Sequence, residues 1–474
     1  VEVGISDPVE LENVFMRLQP AARKAGADIL VQKMIQGKRE LVLGMSRDPG
    51  FGPCVMLGMG GVFTEILSDV SFRVAPLSLT DTQEMIAELK SSKLMDEFRG
   101  MAAVDTDALS ECLISLAKIA LEHPEIKEID INPVIIEEGR PVAVDALMVL
   151  AESKSIQEDH HPKTNLHKLF SPRKVAVIGA SSKPGKSGND VIKNIIANDF
   201  PGELFLVNPK GGEILGKKVY TSIAELPEGI DQAIIILPAQ ANPQVIRDCK
   251  LRGIDTVVMA AGGFAEVDDS GLALQQETIK AIQETGIRAI GPNTSGHIST
   301  PAHYTSSFFP LGKIPKGNIS YIAQTGNFAT HTMRYISSAE HYGVARVIGM
   351  GNKLDVEESE LLEYLAEDPE TKAIFMYLES IKYPRRFLKA AAMTTRKKPV
   401  VLLKGGASPE GAGAAVAHTA ALASDDRIID GALRQAGIAR LDKFSLLFRS
   451  ATGLTTRPVP RGSSGRVRAP AGAR

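Results

Sequence analysis

Apolar positions recur at helical spacing over residues 9–26, where Leu11, Val14, Phe15 and Leu18 share one face. Short β-rich runs follow at 28–34, 40–45 and 54–58, separated by Gln-Gly-Lys and Asp-Pro-Gly turns. Helical spacing returns near 82–91 and 107–122, then two strands, 126–137 and 141–150, meet at a Glu-Gly-Arg turn. This order predicts an α+β unit over 1–152, an antiparallel sheet with helices on one face. Residues 153–168 are polar and aperiodic and read as a linker. From Arg173 the texture changes. Strands at 175–179, 204–208, 233–237, 256–260 and 287–290 alternate with helical stretches, and a second such series follows at 319–323, 344–350, 373–377 and 400–403. Alternation of this kind builds parallel sheets, so two successive α/β domains are expected, 169–300 and 301–446.

A length of 474 residues agrees with about three domains, because single cores stop growing at roughly 100–200 residues. The net charge of −2 gives no global field for nucleic acid. Cys54, Cys112 and Cys249 are scattered and odd in number, which favours a reducing cytoplasm over a disulfide framework. No apolar run approaches the ~20 residues of a membrane helix. The chain opens at Val1 in a strand-like run without an initiator Met, which reads as an internal cut. From Arg449 onward it holds six Arg and no acid among many Gly, Pro, Ser and Ala; 447–474 is therefore expected to be a disordered or non-native tail rather than a nucleic-acid-binding arm.

Three segments carry candidate chemistry. The first is Val175-Ala-Val-Ile-Gly-Ala-Ser-Ser-Lys-Pro-Gly-Lys-Ser-Gly188, a buried strand running into a small-residue loop and a helix. Glycines let backbone approach a phosphate, and a helix start offers unpaired N–H groups. The spacing is neither the dinucleotide fingerprint nor a nucleoside-triphosphatase loop, so it reads as a nucleotide site or as a tight packing turn. The next strand ends Val207-Asn-Pro-Lys210, where a dinucleotide enzyme would place an acid; Asn208 and Lys210 suit a phosphorylated nucleotide better than NAD, and an NAD(P)-linked dehydrogenase is disfavoured. The second segment, Leu403-Lys-Gly-Gly-Ala-Ser-Pro-Glu-Gly-Ala-Gly-Ala-Ala-Val-Ala-His418, puts one His behind a Gly-rich loop, a candidate covalent nucleophile. Gln324-Thr-Gly-Asn-Phe328 follows a strand and opens a helix, a ready anion site at Thr325, Gly326 and Asn327. Glu379 ends another strand, either as a partner for an imidazole or as a solvated carboxylate. In the third segment the 126–137 and 141–150 hairpin sets Asn132 opposite Asp145, two oxygen donors that fit Mg²⁺ or ordinary turn residues equally.

Gly-Ala-Ser-x-x-Pro-Gly-Lys-x-Gly (179–188), Val-Asn-Pro-Lys (207–210), Leu-Pro-Ala (237–239), Gly-Gly-Phe-Ala-Glu (262–266) and Gly-Pro-Asn (291–293) occur in that order. Together they resemble the CoA-binding domain of ADP-forming acetyl-CoA synthetases and of the succinyl-CoA synthetase α subunit. Asp48-Pro-Gly-Phe-Gly-Pro-Cys-Val-Met and Gly58-Met-Gly-Gly-Val-Phe-Thr-Glu65 resemble the ATP-grasp half of the same NDP-forming acyl-CoA synthetases. The resemblance covers about 1–446 and implies an α/β chain: a partial ATP-grasp α+β domain, a Rossmann-like CoA-binding domain and a flavodoxin-like ligase domain, truncated at both ends. It implies that Gly179, Ala180, Ser181, Gly188, Asn208, Lys210 and Pro238 line the CoA nucleotide, with Asn293 towards the thiol. It implies that His418 is phosphorylated beside Glu379 and against Thr325, Gly326 and Asn327, although Ala417 and Ala420 replace the family's Ser and Gly. Asn132 and Asp145 would hold Mg²⁺, and Gln32, Ile35 and Glu40 would sit at adenine and ribose. The implied cofactors are CoA, ATP/ADP and Mg²⁺; the implied partners are a small carboxylic acid, CoA, ATP and phosphate, with no nucleic acid and no membrane, in a cytoplasmic homo-oligomer or a complex with the missing domains. The implied activity is acid–CoA ligation through an acyl phosphate and a phosphohistidine. The alternative is a CoA-sensing regulatory module without turnover, against which the presence of His418 counts.

Overall fold

The computed structural model describes residues 2–60, 69–151, 166–326, 332–340, 342–406 and 425–456. They fall into two units, Val1–Ser155 and Ile156–Arg474.

The first unit holds one antiparallel sheet of β1 (Glu40–Asp48), β2 (Gly52–Met59), β3 (Val70–Val74), β4 (Ile126–Glu137), β5 (Arg140–Ala143) and β6 (Ala146–Leu150). The order is β3-β2-β1-β4-β5, with β6 also on β4. Leu41, Leu43, Val55 and Leu57 of the sheet bury themselves against Met85 of the helix Leu79–Glu88 and Leu109, Leu113 and Leu116 of the helix Thr106–Glu122. Both helices start where their caps say: Ser78 and Asp81 form a capping box, and Asp105 accepts from the Ala108 N–H. Two expectations fail here. Residues 28–34 form no strand; Leu30, Val31 and Met34 stay exposed, so no buried face rewards their β-forming pattern. The run 141–150 is not one strand but two. It breaks at Val144-Asp145, opposite Asn132-Pro133 on β4. The expected helix near the start is present as Pro8–Ala25, but none of its residues is buried.

In the second unit one sheet contains β7 (Lys174–Ile178), β8 (Glu203–Val207), β9 (Glu213–Ile214), β10 (Lys217–Tyr220), β11 (Gln232–Ile235), β12 (Thr256–Met259) and β13 (Arg288–Ile290). The order β13-β12-β11-β7-β8-β10-β9 places the first strand in the middle, with parallel neighbours and apolar layers on both faces. The next sheet contains β14 (His297–Ser299), β15 (Tyr304–Thr305), β16 (Lys316–Ala323), β17 (Val344–Gly349), β18 (Ala373–Leu378), β19 (Val400–Lys404) and β20 (Ala439–Leu441), in the order β15-β14-β17-β16-β18-β19-β20. Again the central strand, β16, is parallel to both neighbours.

Three expected boundaries shift. Leu166, Leu169 and Phe170 are buried, so the folded chain resumes inside the expected linker. His297–Ser299 pairs with Val347 of β17, so the second parallel sheet recruits residues from before 301. The expected tail begins too early: Phe444–Thr456 is a helix that buries Leu447, Phe448 and Ala451 in the core. Their spacing of three and four residues is helical, a pattern masked by the Arg and Gly that follow. Residues 457–474, like most of the linker, lie outside the described residues. Among the described residues no helix is long and apolar enough to cross a membrane.

Candidate functional site

Open parallel sheets form a crevice at the carboxyl ends of their strands where the chain leaves the first strand in both directions. In the β7 sheet that crevice lies between β7 and β11. Gly179 ends β7 with φ +93, a conformation that glycine adopts freely. A Cβ there would run into the Ile236 carbonyl and stand 3.1 Å from the Leu237 side chain, just before Pro238. The loop then returns on itself: Ser181 N–H donates to the Gly188 carbonyl at 3.3 Å and the Asn189 amide donates to the Ser181 carbonyl at 2.9 Å. Gly188 lies in the first turn of the helix Ser187–Ala197, whose start has no side-chain cap. Asn208 completes the ring, donating to the Ala180 carbonyl at 2.8 Å and accepting from the Lys210 N–H at 2.9 Å. Thus Gly179, Ala180, Ser181, Gly188, Asn208 and Lys210 come together as one cradle. The Asn208 amide shapes the backbone, and the exposed Lys183, Lys186 and Lys210 supply positive charge.

Asn293 takes part in none of these hydrogen bonds. It adopts φ +57 after the cis Gly291-Pro292 bond, and its amide meets Asn352 Oδ1 at 3.4 Å. Asn352 in turn donates to Glu266 Oε2 at 2.7 Å, and Glu266 Oε1 accepts the Gly263 and Phe264 N–H groups at 2.8 and 3.2 Å. Burial raises the Glu266 pKa, but these donors outweigh it and hold the carboxyl below its ordinary range. Beside this cluster Arg288 pairs with Asp355 at 2.8 Å and with both oxygens of Glu360, which ties the two sheets together.

In the β16 sheet the equivalent crevice lies between β16 and β18. Gln324-Thr325-Gly326 leaves β16 and Glu379-Ser380 leaves β18, and the Gln324 side chain joins them: its Oε1 accepts both the Glu379 and Ser380 N–H groups at 2.8 Å. The Tyr377 hydroxyl, one turn of the pleat earlier, bonds the Glu379 carboxylate; burial first, then this neighbouring charge, raises the phenol's pKa. Lys404 ends β19 with its ammonium on the Glu379 carbonyl at 2.7 Å. Burial lowers the Lys404 pKa, and Asp426 pulls the other way. Lys353 follows β17; it is buried, donates to the Ser380 carbonyl at 2.9 Å and pairs with Glu358 at 3.0 Å. Asn327 and His418 lie outside the described residues. Sequence reasoning met Gln324, Lys353 and Lys404 only as members of longer motifs, with 351–355 expected to shape the same cleft, and gave none of the three side chains a role. Their signal was a polar side chain at the carboxyl end of an apolar strand, the place where crevices form.

In the first unit Asn132 and Asp145 do meet, at the break in the hairpin. The Asn132 N–H donates to the Asp145 carbonyl at 3.2 Å, and both side chains are exposed. Asp145 Oδ1 accepts from the Ala146 N–H at 2.9 Å. A carboxylate and an amide oxygen are hard donors that suit Mg²⁺, which takes few protein ligands. Among the described residues no larger His, Cys, Asp or Glu cluster could hold a metal. No described contact joins Gln32, Ile35 or Glu40 to this pair. Gln32 and Ile35 lie in a segment held by Lys33 and the Gln36 N–H on Glu137, at 2.8 and 3.1 Å, whereas Glu40 opens β1 opposite Ile135 of β4.

Three domain families match the chain: an ATP-grasp domain over 1–150, a CoA binding domain over 173–299 and a succinyl-CoA ligase like flavodoxin domain over 316–454. An ADP-forming acetate–CoA ligase II of Archaeoglobus fulgidus is 36% identical over 463 residues, 98% of this chain and 68% of that one. The α subunit of an ADP-forming acetate–CoA ligase I of Pyrococcus furiosus is 37% identical over 304 residues, 63% of this chain and 65% of that one. Among solved structures, the dinucleotide forming acetyl-coenzyme A synthetase 1 of Ca. Korarchaeum cryptofilum, in complex with phosphate and ADP, aligns with a TM-score of 0.60 at 32% identity, over 63% of this chain and 64% of that one. The chain thus spans about two thirds of the length of these relatives. Identity of 36% over 98% of its residues, with ATP-grasp, CoA binding and succinyl-CoA ligase like matches in one polypeptide, makes the chain a member of the ADP-forming acetate–CoA ligase family.

Proposed function

We propose that the chain acts in the reversible reaction of a small carboxylic acid, CoA and ATP to acyl-CoA, ADP and phosphate. The observation that carries this reading is the junction at the ends of β16 and β18, where one side chain, Gln324, binds the phosphate-type loop to the Glu379 turn. His418 takes the terminal phosphoryl group of ATP, releasing ADP, and Glu379 orients the ring and balances its positive charge. Thr325, Gly326 and Asn327 hold the phosphoryl oxygens by their backbone N–H groups. The group passes to the substrate carboxylate to form an acyl phosphate; the CoA thiolate then attacks the carbonyl carbon and phosphate leaves. Gly179, Ala180, Ser181, Gly188, Asn208, Lys210 and Pro238 hold the CoA nucleotide, and Asn293 faces the pantetheine end. Gln32, Ile35 and Glu40 take adenine and ribose. Asn132 and Asp145 hold Mg²⁺, which when bound neutralises phosphate charge.

The reading extends to organisation. Residues 1–152, 166–296 and 297–456 act as ATP-grasp, CoA-binding and ligase domains, the folded chain resuming at the buried Leu166 and the ligase domain taking in His297–Ser299 and the helix Phe444–Thr456. They work in the cytoplasm, as a homo-oligomer or with a complementing subunit. The separate α subunit of the Pyrococcus furiosus relative supports the latter. The test is acid-labile labelling. The chain incubated with γ-labelled ATP, or with acetyl-CoA and labelled phosphate, is expected to acquire an acid-labile, base-stable phosphoryl group that is absent from His418→Ala. Label persisting in that variant refutes the assignment.

A further inference from the structure

Both N–H groups and both carbonyls of the Glu379-Ser380 turn are held by side chains from three neighbouring strand ends. Gln324, just past β16, accepts the two N–H groups on Oε1 and donates Nε2 to Ser380 Oγ, all at 2.8 Å. Lys404, the last residue of β19, takes the Glu379 carbonyl at 2.7 Å. Lys353, past β17, takes the Ser380 carbonyl at 2.9 Å and reaches Ser380 Oγ at 3.3 Å. A strand end facing a crevice is ordinarily satisfied by water. Here two lysines, one of them only 4% exposed, are withdrawn from solvent to hold two carbonyl oxygens.

The choice of residue types follows from the geometry. An amide accepts two N–H groups and donates to a hydroxyl from one end without adding charge at neutral pH. A carboxylate at 324 would accept equally well but place a second negative charge beside Glu379. The lysines bring positive charge to the same turn, and that of Lys353 is offset by Glu358 at 3.0 Å. Because Gln324 immediately precedes Thr325 and Gly326, one side chain links the start of that loop to the turn that carries the acid.

We infer that Gln324, Lys353 and Lys404 are positioning residues, which hold the Glu379 carboxylate at a set place relative to Thr325 and Gly326 during phosphoryl transfer. The inference rests on the role proposed above for Glu379 and His418. Phosphoryl transfer depends chiefly on placement, and a displacement of about 1 Å costs on the order of 100-fold in rate.

The test compares Gln324→Met and Lys404→Met in the full chain, with calorimetric CoA binding as the check on folding. The initial rate of acid-labile labelling, from γ-labelled ATP or from acetyl-CoA and labelled phosphate, is expected to fall about 30-fold in each, with CoA affinity within about twofold of wild type. Against Glu379→Asp, whose carboxylate is already displaced, the same substitutions are expected to add less than about threefold, because they act through that group. Should Gln324→Met lose CoA binding, Lys404→Met, which leaves the Gln324 bonds in place and frees only the Glu379 carbonyl, decides the test. Equal losses in both backgrounds, or a wild-type rate in either variant, overturn the positioning role. No acid-labile label on the wild-type chain by either route removes the histidine reading, and this inference with it.

Discussion

Gly188→Ala sets two physical effects against each other. Gly188 lies within the helix Ser187–Ala197, so helix propensity alone favours alanine by roughly 0.8–1 kcal/mol. The added Cβ, however, would fall inside the envelope of the Gly179 carbonyl oxygen, 3.1 Å from its carbon and 3.2 Å from Ser181 N. Real Cβ atoms essentially never approach within 3.0 Å, and these neighbours are backbone, which cannot swing aside. The helix start must therefore retreat by about 1 Å from the loop, at an overpacking cost of about 1–3 kcal/mol. The retreat breaks the Ser181 N–H to Gly188 carbonyl bond and loosens the Asn189 hold on Ser181. Both shape the proposed CoA cradle, so CoA affinity should fall about 10- to 100-fold, equivalent to about 1.4–2.8 kcal/mol. Calorimetric titration with CoA and a thermal melt measure the two effects separately. Gly185→Ala is the control: the same loop, φ +77, and nothing within 4 Å of a Cβ, leaving only about 1–2 kcal/mol of left-handed backbone strain and a smaller loss of affinity. If Gly188→Ala bound CoA as tightly as wild type and melted at or above it, propensity rather than the close approach would govern this position, and the reasoning would fail.

Asp145→Asn keeps the side-chain volume and removes the charge. Magnesium-dependent ADP binding should weaken by about tenfold or more, and chelating the metal should weaken wild type but not the variant; an unchanged magnesium dependence in the variant counts against the site. His297 is fully buried, and burial first of all lowers its pKa to about 3 from an unfolded value of 6.5. Its contribution is complete above pH 6.5. Below that the unfolded chain binds a proton that the folded chain refuses, and stability falls by about 1.4 kcal/mol per pH unit until the folded pKa is reached. Urea melts from pH 7.5 to 5 measure the slope, which should be shallower in His297→Asn; identical slopes would refute the buried neutral imidazole.

The central strands of the parallel sheets were legible to within a residue or two, because a strand buried on both faces is a continuous apolar run with polar ends: 175–179 is observed as Lys174–Ile178, 373–377 as Ala373–Leu378 and 400–403 as Val400–Lys404, whereas the short outer strands β10 and β20 were not expected. Where pattern and structure part, pairing decided. Residues 28–34 have β-forming side chains yet pair with no strand and bury none of their large apolar side chains. The 141–150 run carries no sign of the break that turns Asp145 outward opposite Asn132, which arises from the register of two hairpin arms on β4. At 447–456 a helical spacing of Leu447, Phe448 and Ala451 was hidden by the composition around it.

The sequence by itself determined which chemistry is on offer: small residues at Gly179 and Gly188, an acid at Glu379, oxygen donors at Asn132 and Asp145. These depend on local backbone needs and on side-chain type, both written residue by residue. The tertiary structure alone decided how the acid is held, since Gln324, Lys353 and Lys404 come from three strand ends up to 80 positions apart along the chain and meet on one turn only after β17, β16, β18 and β19 are laid side by side. Hydrogen bonds between side chains and a distant backbone depend on strand order and register, quantities set by the whole sheet rather than by any segment of it.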